Sequence, residues 1–105
     1  MKKKQKLPTY YYKTTVSAFD SRIIKSGVSE ILKATKKYLE KDPKKVKVLD
    51  VGSGEGEFTL ELAKHFGKAV GVEPVREADE YAKSHIPKNL KNVSFVHSKI
   101  EDYKT

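Results

Sequence analysis

A chain of 105 residues, 37% apolar and 34% charged, makes one small domain with a modest core and has no room for a second. Zero cysteines exclude disulfides, thiolate metal sites and thiol catalysis, and the chain reads as cytoplasmic. The net charge of +8 is uneven, at +5 over residues 1–13, +5 over 14–49 and −2 over 50–105, and only Arg22 and Arg76 are arginine. Lysines lack the planar fork that reads phosphates or bases bidentately, so nucleic-acid recognition is open but not favoured.

Residues 1–13 have neither a helical nor a strand period and read as a basic Lys/Tyr arm. The initial lysines are followed by Leu7-Pro8-Thr9-Tyr10 where a secretory signal would need an apolar run, and no stretch approaches the ~20 apolar residues of a membrane span. A short helical stretch is expected near Ser21 to Lys25, broken at Gly27. Then Val28, Ile31, Leu32, Thr35, Tyr38 and Leu39 fall at helical spacing, which predicts an amphipathic helix over 26–41, capped by Ser26 or Ser29 and ended by Asp42-Pro43.

Lys45 to Val51 reads as a first strand, and Phe58, Leu60, Leu62, Ala63 and Phe66 mark a helix stopped by Gly67. Ala69 to Glu73 is a second strand. Val75, Ala78, Tyr81 and Ala82 mark another helix, and Asn92 to His97 is a third strand. Strands that alternate with helices pair in parallel through right-handed crossovers. The prediction is therefore an α/β fold, a Rossmann-like three-layer arrangement with a partial parallel sheet of strand order 3-2-1 and a leading amphipathic helix. Strand 1 would keep an open edge, which a homodimer or a partner chain would complete.

The informative stretch is Asp50-Val51-Gly52-Ser53-Gly54-Glu55-Gly56-Glu57, between the first strand and its helix. Its glycines allow a sharp turn and the close approach of a ligand, which points to a nucleoside. The dinucleotide pattern Gly-x-Gly-x-x-Gly would need glycine where Glu57 stands, and no lysine follows the glycines until Lys64, so neither common phosphate loop is present. Asp50, Glu55 and Glu57 would repel a pyrophosphate by ~1 kcal/mol or more. A positively charged ligand with an adenosine body fits the loop better. Glu73, about 20 residues on, ends the second strand as an acid able to accept hydrogen bonds from both ribose hydroxyls.

These residues resemble the class I S-adenosylmethionine-dependent methyltransferases. Val48 to Gly56 is similar to that family's first motif and Val72-Glu73-Pro74 to its second. The resemblance implies S-adenosyl-L-methionine as cofactor, with Asp50 orienting its methionine end, Gly52 and Gly54 passing beneath it and Glu73 holding the ribose. Ser53, Glu55, Pro74 and the Ile100 amide are the next expected contacts. Ser98-Lys99-Ile100-Glu101-Asp102 takes the place of the third motif, with Lys99 where the family has an acid. The resemblance covers about Val46 to Tyr103, so 14–105 is expected to be an incomplete methyltransferase domain with a core over 46–103. The fourth motif and the acceptor-site residues would lie beyond Thr105, which leaves the methyl acceptor and the catalytic residues unnamed.

No metal site is expected. His65 suits a helix end, His85 is a surface residue, and His97 stands where open sheets bind ligands but has no acid or cysteine neighbour in the sequence. Glu77, Asp79 and Glu80 read as a solvated helix start, and Tyr11, Tyr12 and Phe19 as residues that would close over the cofactor. The alternative is a non-catalytic Rossmann-like binding module that uses its Lys-rich half on a nucleic acid or protein.

Overall fold

The structure is a computed structural model that describes residues 21–104. The Lys/Tyr arm and Tyr11, Tyr12 and Phe19 lie outside the described residues.

In chain order the elements are α1 (Ser21–Ala34) running into a wider π turn (Thr35–Leu39), a 3₁₀ turn (Pro43–Lys45), β1 (Lys47–Val51), α2 (Glu57–His65), β2 (Lys68–Glu73), α3 (Arg76–Ser84), β3 (Val93–His97) and a second 3₁₀ turn (Ile100–Asp102). The strands form one parallel sheet in the order β1-β2-β3, as the alternating pattern predicts. Both crossovers run in the same direction across the sheet, and two right-handed crossovers of that kind place their helices on one face. Ala69 on that face packs with Leu62, Ala63 and Phe66 of α2 and with Val28 of α1. Phe95 shares the face and, with Ala82 of α3, crowds Gly56. The described residues thus supply the sheet and one helical layer. The other face carries Leu49 and Val51, which are 39% and 55% exposed.

Helix α1 differs from its expected form. It passes through Gly27 without a break and contains both Ser26 and Ser29, so neither caps its start. Gly27 is kept by packing, because a Cβ there would stand 3.0 Å from the Phe58 ring of α2. Val28 and Thr35 are buried, whereas Ile31, Tyr38 and Leu39 are exposed. The Thr35 hydroxyl donates to the Ile31 carbonyl at 2.8 Å, and the wider turn that follows rotates Tyr38 and Leu39 off the buried seam. Glu40, in the left-handed region at φ 53°, ends the element, so the helix stops three residues before Pro43. Asp42 instead accepts from the Lys44 amide at 3.0 Å and starts the 3₁₀ turn, which delays β1 to Lys47.

Two polar residues also depart from expectation. Asp79 is not solvated: it is 2% exposed, with one carboxylate oxygen 2.9 Å from Lys83 Nζ and the other without a hydrogen-bond partner. It stands one turn before Ala82 and beside Ala78, on the helix face that packs inward. Asn92 precedes β3 and works through its side chain, whose Nδ2 donates to the carbonyls of Ala63, Phe66 and Gly67 at 2.8, 3.0 and 3.2 Å. It thereby satisfies carbonyls at the end of α2 that the helix cannot pair internally.

Gly71 shows how closely the layers meet. A Cβ there would lie 2.6 Å from Ser53 Oγ and 2.7 Å from the Phe95 ring. Gly71→Ala is therefore expected to destabilise the fold by about 1–3 kcal/mol through overpacking, read as a lower denaturant midpoint at unchanged slope. An unchanged midpoint would show that loop and sheet separate easily.

Candidate cofactor site

The loop between β1 and α2 is tied to the sheet before any side chain is considered. The Gly52 and Ser53 amides both donate to the Val72 carbonyl, at 2.8 and 3.2 Å, and the Gly56 amide closes a turn on the Ser53 carbonyl at 3.0 Å. Gly52, Gly54 and Gly56 take φ of 75°, 58° and 96°. A Cβ at Gly52 or Gly54 would meet no atom of the described residues within 4 Å, so at these two positions glycine supplies the left-handed backbone.

Glu73 closes the site from β2. Its Oε1 accepts from the Gly54 amide at 2.7 Å and its Oε2 from the Val75 amide at 3.0 Å. A carboxylate has about four lone-pair positions, so each oxygen keeps one for a further donor. Glu73 is buried, which makes such bonds stronger than they would be in water. Asp50, at the end of β1, accepts from the Thr59 hydroxyl at 2.6 Å. Burial raises the Asp50 pKa above its ordinary value, the Thr59 hydrogen bond opposes that rise, and the negative charge of Glu73 adds to it. Two carboxylates that disfavour each other's charge make a place suited to a cation.

Gly54 and Glu73 are thus bonded to each other, and Asp50 stands near enough to feel the charge of Glu73. Ser53 turns inward: its hydroxyl is buried over Gly71 with no hydrogen-bond partner, its backbone amide is used on the Val72 carbonyl of β2 and its carbonyl on the Gly56 amide of the loop. Glu55 is also buried, and Ile100 is exposed on the 3₁₀ turn after β3. The Pro74 carbonyl lies 3.1 Å from His97 Nε2, and Glu73 and His97 are register partners on β2 and β3. His97 therefore ties β3 to the loop that follows Glu73. Away from this end, His65 pairs with Glu61 at 3.2 Å and His85 stacks on Tyr81. Among the described residues no group of His, Cys, Asp or Glu could hold a metal ion.

Thr59, fully buried, is the site residue that sequence reasoning missed. Its signal was nonetheless present, as a polar residue placed three, four and seven positions before the apolar Leu62, Ala63 and Phe66.

Residues 42–105 match the profile of a methyltransferase domain. The chain belongs to that methyltransferase-domain family. It is 38% identical over 71 residues to an uncharacterized RNA methyltransferase of Nanoarchaeum equitans, covering 68% of this chain and 16% of that protein. It is 39% identical over 74 residues to a 23S rRNA (uracil(747)-C(5))-methyltransferase of Pyrococcus abyssi, covering 70% and 17%. The chain therefore spans about a sixth of the length of these curated relatives. Among solved structures it is similar to a SAM-dependent methyltransferase from Aquifex aeolicus, at 26% identity and a TM-score of 0.67, covering 90% of this chain and 48% of that one. A methyltransferase of Thiobacillus denitrificans, in complex with S-adenosyl-L-homocysteine, shares the fold at 21% identity and a TM-score of 0.64, covering 96% and 40%.

The raised Asp50 pKa has a signed consequence for this methyltransferase domain. A carboxylate whose folded pKa exceeds its unfolded value weakens the fold in full above the folded pKa, and that burden fades as pH falls toward the unfolded value. Asp50→Asn, which still accepts from Thr59, is expected to raise the melting temperature at neutral pH, with the gain shrinking as acidity moves below the ordinary carboxylate range. A gain independent of pH would contradict this account.

Proposed function

We propose that this chain is the cofactor-binding portion of an S-adenosyl-L-methionine-dependent methyltransferase whose acceptor is RNA. The observation that carries the cofactor is the Glu73 carboxylate, held by the Gly54 and Val75 amides beside a glycine loop where a Cβ at Gly52 or Gly54 would meet no described atom within 4 Å. The residues suit the group by their chemistry. Glu73 would accept from the ribose hydroxyls, and Asp50 would face the ammonium and relieve its repulsion with Glu73. Gly52 and Gly54 would admit the adenosyl body, and Pro74 and Ile100 would border the base. Ser53 and Glu55, both turned inward, would shape the loop from behind. When bound, the cofactor supplies a methyl group on a sulfonium centre that an acceptor nucleophile displaces. The protein's share is to position and to exclude water. RNA as the acceptor is supported by the names of the relatives from Nanoarchaeum equitans and Pyrococcus abyssi.

No described helix is long and apolar enough to cross a membrane, in keeping with a cytoplasmic location. Completion of the sheet along the edge of β1, with which only β2 pairs among the described strands, by a second copy or a partner chain belongs to the same reading.

Calorimetric titration with S-adenosylhomocysteine tests the cofactor site. Saturable binding is expected, weakened roughly 10- to 100-fold in Glu73→Ala, the loss of a charge-assisted pair being worth ~1.5–3 kcal/mol. Glu73→Gln, which keeps the side chain's shape and one carbonyl acceptor, should lie between the two. A folded protein that binds no S-adenosylhomocysteine at millimolar concentration would overturn the proposal.

A further inference from the structure

The three strands are parallel, so they begin at one end of the sheet and the segments leading into them meet there. The Gly67 amide donates to the carbonyls of Pro43 and Val46 at 3.1 and 3.0 Å, and the Ala69 amide to the Asn92 carbonyl at 3.0 Å. With the Asn92 side chain on the Phe66 and Gly67 carbonyls, these bonds join residues 43–47, 64–68 and 87–92 into one surface.

That surface is chemically one-sided. It holds seven lysines and no acid: Lys44, Lys45 and Lys47 ahead of or on β1, Lys64 and Lys68 ahead of or on β2, and Lys88 and Lys91 ahead of β3. All seven are exposed. Lys47 and Lys68 are register partners, so two ammonium groups stand side by side on adjacent strands, an arrangement that costs stability unless an anion answers it. Among the described residues only Lys64 of the seven has an ion pair, with Glu61 at 3.2 Å. The Lys44 ammonium donates to the Lys64 carbonyl.

The opposite end, where the cofactor site lies, is the reverse. Segments 50–57, 73–77 and 97–102 carry seven acids and two bases, Arg76 and Lys99. Five strand residues at ~3.3 Å each separate the two ends by roughly 16 Å, about two screening lengths at physiological salt. The acidic end therefore does not cancel the basic one.

We propose that this lysine pole is a docking surface for the RNA phosphate backbone, which deepens the RNA reading above and rests on it. Lysines act as point charges and suit phosphates irrespective of base. The three segments contain no arginine, their phenylalanine is buried, and their one histidine, His65, pairs with Glu61. None of the exposed large apolar residues falls in them, so the surface lacks the apolar wedge with which a basic face enters a membrane. An acidic rim around the cofactor repels phosphate, and affinity for RNA has to arise elsewhere. The pole supplies it at the distance of one strand length.

The test is fluorescence anisotropy of a labelled single-stranded RNA with the parent chain, a pole variant (Lys47→Gln, Lys68→Gln, Lys91→Gln) and an α1 variant of equal charge loss on α1 and the π turn that extends it (Lys25→Gln, Lys36→Gln, Lys37→Gln), across a salt series. Each lost phosphate contact lowers the slope of log affinity against log salt by ~0.7, so the pole variant should lose about 2 in slope and about 50-fold in affinity near 0.15 M salt. The α1 variant should lose less than about a tenth of that factor, since it leaves the pole intact. Equal losses in the two variants would show a net-charge effect and overturn the proposal. So would a pole variant that binds like the parent, or tighter binding of the parent to phosphatidylserine vesicles than to RNA at the same salt. S-adenosylhomocysteine titration of the same proteins separates the two readings. Cofactor binding unchanged in the pole variant is expected, and a parent that binds RNA through the pole but no S-adenosylhomocysteine overturns the methyltransferase reading and not this surface.

Discussion

One carboxylate organises the end of this domain that carries the glycine loop. Glu73 ends β2 and, through its two oxygens, holds the amide of Gly54 in one loop and that of Val75 in the next. The strand, the glycine turn and the start of α3 are thereby bound to a single side chain. A buried charge is costly unless hydrogen-bonded, and here backbone donors that would otherwise want water provide the compensation. Asp50 and Thr59 extend the arrangement to β1 and α2.

The same end depends on the absence of side chains. Gly52 and Gly54 leave the loop open outward, while Gly71 lets Ser53 and Phe95 approach the sheet from the helical side. Missing Cβ atoms on the loop's open side and on the strand beneath it let the loop rest on β2 and still present its backbone. That rest also explains why the Ser53 hydroxyl is buried without a hydrogen bond: the close contact over Gly71 fixes its direction. Farther back, Phe66, Val28 and Ala69 form the core beneath α2, with Asn92 sealing the helix end.

Charge follows the direction of the strands. Because every strand runs the same way, whatever the sequence places before strands gathers at one pole and whatever it places after them gathers at the other. The lysines that precede β1, β2 and β3 and the acids that follow them are interleaved along the chain and separated in space. A net charge of +8 divided by sequence halves conceals this, since the second half alone contributes Lys64, Lys68, Lys88 and Lys91 to the basic pole.

Much of the domain could be read in advance. The alternation of apolar runs, the glycines after β1 and the acid at the end of β2 are local signals, set by turn geometry and by the period of burial, and they determined the parallel sheet and pointed to the loop where the candidate site is proposed. The departures occur where a distant neighbour decides. Gly27 reads as a helix breaker until Phe58 is seen against it, Asp79 reads as a solvated acid until its face of α3 is turned inward, and Asn92 reads as a strand residue until the end of α2 lies across from it. Thr59 could be seen as polar on an apolar face, but only the crossover from β1 to α2 shows that the face meets Asp50. The sequence by itself determined the order of elements and the chemistry of the loop, because those depend on neighbours within one turn. Tertiary structure alone decided which acids stand close together and where the lysines gather, because those depend on residues that the parallel crossovers bring together.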